Sequence, residues 1–172
     1  PWRMAAAWVG AAFAGKTPGG LAVAARHAGT WDMVQEIGRS GVNSPVTSSV
    51  GRLFDAVAAL AGIRDQARYE GQAAVELEQA ADPDEAGAYP MAVTVASGDP
   101  VRLDGADLVR AAVEDLRQGV DPGVISSRFH NGLAAATVRA CGLVAERSGL
   151  TTVAVSGGVF QNALLLTGVH DG

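Results

Sequence analysis

The stretch 153–162, Val-Ala-Val-Ser-Gly-Gly-Val-Phe-Gln-Asn, constrains the fold of this chain more than any other. An apolar alternating run ends in Ser156, Gly157 and Gly158, and Asn162 stands just before an apolar segment at 163–166. That order predicts a short buried strand over 151–155, a tight turn without side chains and the first turn of a helix. Two adjacent glycines let a ligand approach the backbone, and a helix start offers unpaired N–H groups. An Asn amide at that point both donates and accepts, which suits a ribose or a purine edge. Many strand–turn–helix junctions also carry a glycine pair for turn geometry alone.

Periodicity divides the rest. Helical spacing is expected over about 2–14, 20–37, 53–60 and 69–81, with a loop at 38–51 and an exposed linker at 82–88. From Tyr89 the pattern alternates through Met91, Val93 and Val95. A turn at Ser97-Gly98-Asp99-Pro100 and then Val101 and Leu103 make this a strand pair or a strand plus an extended piece. Asp104 is placed to cap a helix to about 118. Asp121-Pro122 opens a longer helix to about 147, because proline is favoured at the first helical position. Its apolar stripe is Ile125, Phe129, Leu133, Ala136, Ala140 and Leu143. The expected fold class is α/β, with a mostly helical segment over 1–87 and a strand–helix–helix–strand–helix segment over 88–172.

Composition excludes several classes of function. The net charge of −5 provides no extended basic face for nucleic acid. Cys141 is the sole cysteine, so no internal disulfide forms, and a cytoplasmic protein is expected. Its apolar neighbours predict a core thiol. The apolar run Ala5 to Ala14 is too short to span a bilayer, and the start is not a signal peptide, so no membrane association is expected. Hydrophobic residues make up 48% but aromatics only 5%, so the core must be built from Ala, Val and Leu. His27, His130 and His170 show no metal-ligand spacing. His130, beside the core position Phe129, reads as a surface or interface residue.

Two further segments could carry chemistry. Asn43-Ser-Pro-Val-Thr-Ser-Ser-Val-Gly-Arg-Leu-Phe-Asp55 crowds hydroxyl and amide groups into a loop that runs straight into a helix. Ser48 and Ser49 stand at or near the N-cap, which uses some of that polarity. The remainder suits an anion, with Arg52 as a bidentate donor. Asp55 could bond ribose hydroxyls or merely favour the helix dipole. In Tyr69-Glu70-Gly71-Gln72, Glu70 and Gln72 flank a glycine at a helix start. A sugar hydroxyl or a simple first-turn acid accounts for Glu70 equally well, and Glu76 and Glu78 read as solvated.

Taken together, the segments 43–60, 69–78 and 156–162 resemble the carboxy-terminal domain of the hydrogenase-maturation carbamoyltransferases, the HypF family. Pro-Trp-Arg-Met at 1–4 and Arg-Phe-His at 128–130 fit the same family, and the likeness runs in order through essentially the whole chain. That domain is similar to the tRNA threonylcarbamoyltransferases and belongs to the actin/Hsp70-like (ASKHA) superfamily. The resemblance implies part of a two-lobed α/β fold with a nucleotide in its cleft.

By the same resemblance, carbamoyl phosphate and ATP give a carbamoyl-adenylate in the full enzyme. The carbamoyl group then passes to the C-terminal cysteine of a partner protein, HypE, on the route to the cyanide ligands of [NiFe]-hydrogenase. Gly157, Gly158 and Asn162, with Ser156 before them, would hold the adenosine side. Ser48, Ser49, Gly51 and Asp55 would line the same cleft, with Glu70 and Gly71 nearby. Members of the family carry a histidine-rich metal site ahead of the matching stretch and an acidic loop after it. The metal ion is thus expected in the full-length protein on ligands outside these residues, and the chain alone is expected not to turn over. A small-molecule O-carbamoyltransferase and a non-catalytic docking module are the alternatives.

Overall fold

The computed structural model describes residues 1–95 and 100–172. The expected turn at Ser97-Gly98-Asp99 therefore lies outside the described residues. In chain order the elements begin with α1 (Trp2–Ala12), α2 (Ala22–Arg26), α3 (Ala28–Ser40), α4 (Val50–Leu60) and α5 (Gln72–Gln79). There follow β1 (Ala92–Thr94), β2 (Arg102–Asp104), α6 (Ala106–Arg117), α7 (Pro122–Ser148), a 3-10 turn (Gly158–Gln161) and α8 (Ala163–Asp171).

Helix α4 forms the centre. Leu53 to Leu60 are buried without exception, and α1, α5, α6 and α7 all pack against it. Ala56, Ala58 and Ala59 have no exposed surface, so these neighbours approach its backbone with little side chain between. Phe54 meets Phe129 of α7 edge-on, with centroids 4.8 Å apart, a geometry that adds about 0.5–1.5 kcal/mol to the area buried. The core continues across residue 88, joining Ala5 and Val9 of α1 to Leu108 and Val113 of α6 and to Leu165 of α8.

The long helix begins as expected: Pro122 holds the first position and the Asp121 carboxylate accepts from the Gly123 N–H at 2.7 Å. The strand pair is antiparallel, with Val93 opposite Leu103. Asp104 accepts from the Ala106 N–H at 2.9 Å, although the N-cap position itself is Gly105.

Three expectations are corrected. The helix read over 20–37 is two, broken at His27, where φ −115° and ψ 20° leave the helical range. Trp2 stacks on the His27 ring at 4.2 Å, and Asp65 bonds both Arg26 and His27, so tertiary contacts fix the break. Residues 151–155 form no strand among the described residues, because no neighbouring described segment supplies a ladder; Val153 and Val155 are exposed. Cys141 is half-buried on α7 rather than in the core.

The linker at 82–88 is largely exposed yet bonded along α7. Asp82 accepts from Ser127 Oγ, Gly87 O accepts from Asn131 Nδ2 at 2.9 Å, and Tyr89 N donates to Arg128 O at 2.9 Å. Arg128 bridges Glu85 and Asp115, and Asp115 also accepts from the Tyr89 hydroxyl. This approach requires glycine at 132: a Cβ there would collide with the Tyr89 carbonyl oxygen and stand 3.0 Å from its nitrogen. Gly132→Ala should therefore destabilise the chain by about 1–3 kcal/mol in chemical denaturation, by prising the 85–89 strap off α7.

Candidate functional site

The polar loop 41–49 leaves α3, and Ser49 occupies the N-cap position of α4 with extended φ and ψ. Its hydroxyl makes no capping bond, contrary to the capping role read from its position. Instead Thr47 Oγ1 accepts from the Ser49 N–H at 3.1 Å, and both side chains border a cavity of about 690 Å³. Asn43, Ser44, Arg52, Asp55, Tyr69, Glu70 and Gly71 complete its polar wall. The structure thus gathers Ser49, Asp55, Glu70 and Gly71 around one space. Ser48 and Gly51 belong to the same loop and first turn but are not among the lining residues.

Asp55 is the unusual group of this cavity. Its residue is 6% exposed, and Arg52 NH1 lies 2.9 Å from the carboxylate. Burial pushes its proton affinity up, and the Arg52 charge offsets that only in part. Arg52 itself is 43% exposed, so one guanidinium faces both Asp55 and the cavity. The nearby Gln72 is committed elsewhere: its Oε1 accepts from the Arg68 N–H and its Nε2 donates to Glu76. Glu76 is not merely solvated, since Arg64 grips it through Nε and NH2 at 2.6 and 2.7 Å and holds its carboxyl below the usual range.

The glycine junction is a second location. Gly157 adopts φ 91°, where a side chain would be strained, and a Cβ on Gly157 or Gly158 would meet nothing within 4 Å. Backbone and open space coincide there, as close approach by a ligand requires. Ser156, Gly157, Gly158 and Asn162 do not line the loop cavity. Asn162 is 7% exposed and caps α8, its Oδ1 accepting from the Leu165 N–H at 2.8 Å. Its Nδ2 donates to His130 Nε2 at 2.9 Å. Glu78, read as solvated, accepts from the Ala163 N–H.

His130 is the residue that sequence reasoning misplaced. It is 2% exposed, sits edge-on to Phe54 and Phe129, and lies 2.8 Å through Nδ1 from the Ser126 carbonyl. Burial lowers its proton affinity. The available signal was the pair Ser126 and His130, one helical turn apart beside Phe129. Among the described residues no three His, Cys, Asp or Glu side chains converge to hold a metal ion. No helix among them is long and apolar enough to cross a membrane.

The model of the carbamoyltransferase Kae1-like domain, second subdomain (HypF_C_2), matches residues 1–172. The chain belongs to the HypF carbamoyltransferase family. It is 33% identical over 123 residues to the carbamoyltransferase HypF of Synechocystis sp., covering 72% of this chain and 15% of that one. To HypF of Rhizobium leguminosarum it is 35% identical over 172 residues, covering 98% and 21%. A crystal structure of full-length HypF in the phosphate- and nucleotide-bound form superposes with a TM-score of 0.83 at 30% identity, covering 99% of this chain and 26% of that one. HypF of T. kodakarensis, at 22% identity and a TM-score of 0.72, shares the fold. The expected helix-rich α/β fold of this family is the one observed. The chain spans about a fifth or less of the length of the HypF relatives from Synechocystis and Rhizobium.

Two outcomes follow from the junction. Asn162→Ala removes a helix cap and strips His130 Nε2 of its donor, so unfolding should show a loss of about 2 kcal/mol. Because the folded state holds His130 neutral with a lowered pKa, the unfolded chain takes up its proton first. The His130 contribution should be full above about pH 6.5 and decline as pH falls toward the lowered value, seen as a falling melting temperature.

Proposed function

We propose that this chain is the nucleotide-binding portion of a HypF carbamoyltransferase, working in the cytoplasm. In the whole protein, carbamoyl phosphate and ATP would supply a carbamoyl-adenylate. The C-terminal cysteine of HypE would take the carbamoyl group, its sulfur bonding the carbamoyl carbon as AMP departs, during [NiFe]-hydrogenase maturation. The observation that carries the reading is the buried carboxylate of Asp55 at the edge of a polar cavity beside Arg52, in a chain of this family. Support also comes from the relative with a TM-score of 0.83, whose crystal structure is described as phosphate- and nucleotide-bound.

Each part has a chemical task under this proposal. Arg52 and the hydroxyls of Thr47 and Ser49 suit phosphate oxygens, and Ser48 and Gly51 shape the loop that carries them. Asp55 accepts from sugar hydroxyls, and Glu70 and Gly71 border the same space. Ser156, Gly157 and Gly158 offer open backbone at the second location, where adenosine can lie flat on the glycines, and the buried Asn162 closes the turn behind them. The metal of the family would sit on ligands supplied by other parts of the protein.

Calorimetric titration with ATP tests the reading. The chain should give a saturable signal, and Asp55→Asn should weaken it by roughly ten- to a hundred-fold through the loss of a charged hydrogen-bond acceptor. The melting temperature should hold or rise in that variant, because a carboxylate with burial-raised proton affinity opposes folding at neutral pH. Absence of saturable binding, or equal affinity in the variant, would sink the proposal. Mixed with carbamoyl phosphate, ATP and a thiol acceptor, the isolated chain should show no transfer; turnover matching that of an intact HypF would overturn that expectation.

A further inference from the structure

His130 is a buried titratable group to which the proposed function gives no task. Its hydrogen bonds define its state without ambiguity. Asn162 Oδ1 accepts from the Leu165 N–H, so Asn162 Nδ2 is the group that faces the imidazole, as a donor. Nε2 must then accept and carry no proton. Nδ1 faces the Ser126 carbonyl oxygen at 2.8 Å and therefore carries one. Ser126 Oγ in turn donates to Leu77 O of α5. The neutral imidazole thus ties α7 to the start of α8, one turn from the Ser126 hydroxyl that bonds α5.

Val159 and Phe160 pack partly buried against the core and Leu165 lies within it, but the glycines themselves have few holds. A Cβ on Gly157 or Gly158 would touch nothing within 4 Å, and Ser156 is exposed. Asn162 closes the 3-10 turn, its N–H donating to the Val159 carbonyl at 3.2 Å. Side-chain bonds to His130 and, through the Ala163 N–H, to Glu78 tie this segment to the body of the fold. Asn162 closes the turn that Gly158 opens, and Phe160 N–H donates to Gly157 O within it, so the seat of Asn162 helps to set where the glycine backbone sits. We infer that His130 is a positioning residue: by accepting from Asn162 at Nε2 it holds the Gly157–Gly158 backbone in the arrangement that receives the nucleotide. The inference rests on the nucleotide reading of this junction.

A second proton on His130 would set an N–H against the Asn162 N–H and release the junction. Glu78 on α5 is the charged side chain whose field acts on the ring and favours that proton; α4 presents Phe54, α7 presents Phe129 and Ser126, and the junction presents Asn162.

ATP affinity measured from pH 5.0 to 7.5 with two variants tests the inference. His130→Gln can place an uncharged acceptor near the Nε2 position, whereas His130→Phe keeps a ring and deletes the acceptor. The expected result is wild-type affinity that weakens toward acid, His130→Gln flat across the range, and His130→Phe weakened about five- to ten-fold at every pH. A His130→Phe chain that binds ATP as tightly as wild type, or a His130→Gln chain with the wild-type pH profile, would overturn it. If His130→Phe does not fold, the wild-type and His130→Gln profiles decide between the same two outcomes. Should wild type give no saturable ATP signal at pH 7.5, the nucleotide reading fails on its own account. The positioning role is then judged by the Gly157 and Gly158 amide resonances. Resonances displaced by acid in wild type but steady in His130→Gln uphold it, and identical acid responses in the two reject it.

Discussion

Helix α4 has no face left to water from Leu53 to Leu60, and the fold is the set of elements needed to cover it. A helix apolar on all sides cannot settle on one partner, so α1, α5, α6 and α7 surround it. Small residues make this possible: three alanines without exposed surface bring the neighbours close, and the large side chains Phe54 and Phe129 fill the remaining space. The one carboxylate on this helix at those positions, Asp55, pays a desolvation penalty that packing alone cannot justify.

The two candidate locations hang from that centre by opposite means. The loop cavity is shaped by a segment with few bonds of its own, anchored where the chain enters α4. The glycine junction is held by side chains reaching from the body of the fold, Glu78 from α5 and His130 from α7. Since Phe54 touches the His130 ring while Asp55 borders the cavity, adjacent residues of α4 serve the two locations.

Much of this was legible in the residues, for physical reasons that can be named. Pro122 behind Asp121 marks a helix start by its missing donor, and the helical apolar spacing over 53–60 announces α4. Alternation from Tyr89 to Leu103 yielded the antiparallel pair. Where local signals failed, tertiary contacts had decided. Near His27 the sequence offers only Gly29 against a continuous helix; stacking on Trp2 and the Asp65 bonds fix the break. The run 151–155 has strand periodicity, yet periodicity cannot supply a pairing partner. His130 follows Phe129, and both turn inward because α7 is covered on one side by α4 and α5 and on another by α8. The polar site residues around 43–55 and 69–71 were legible as a group; that Ser49 forgoes its capping bond and that Asn162 is engaged on both ends of its amide were not.

The length of α7 has an evolutionary consequence. Its 27 residues make a rigid rod of about 40 Å, with Phe129 and His130 seated in the core and Val138 and Cys141 beside the segment 150–155 and α8. One residue inserted between those two groups would turn every later side chain by about 100° and carry α8 away from its seat. Descendants of this chain can lengthen or shorten the loop before α4 by drift, but this helix can change length only at its end. The distance and angle between the core and the junction are in that sense inherited as a unit.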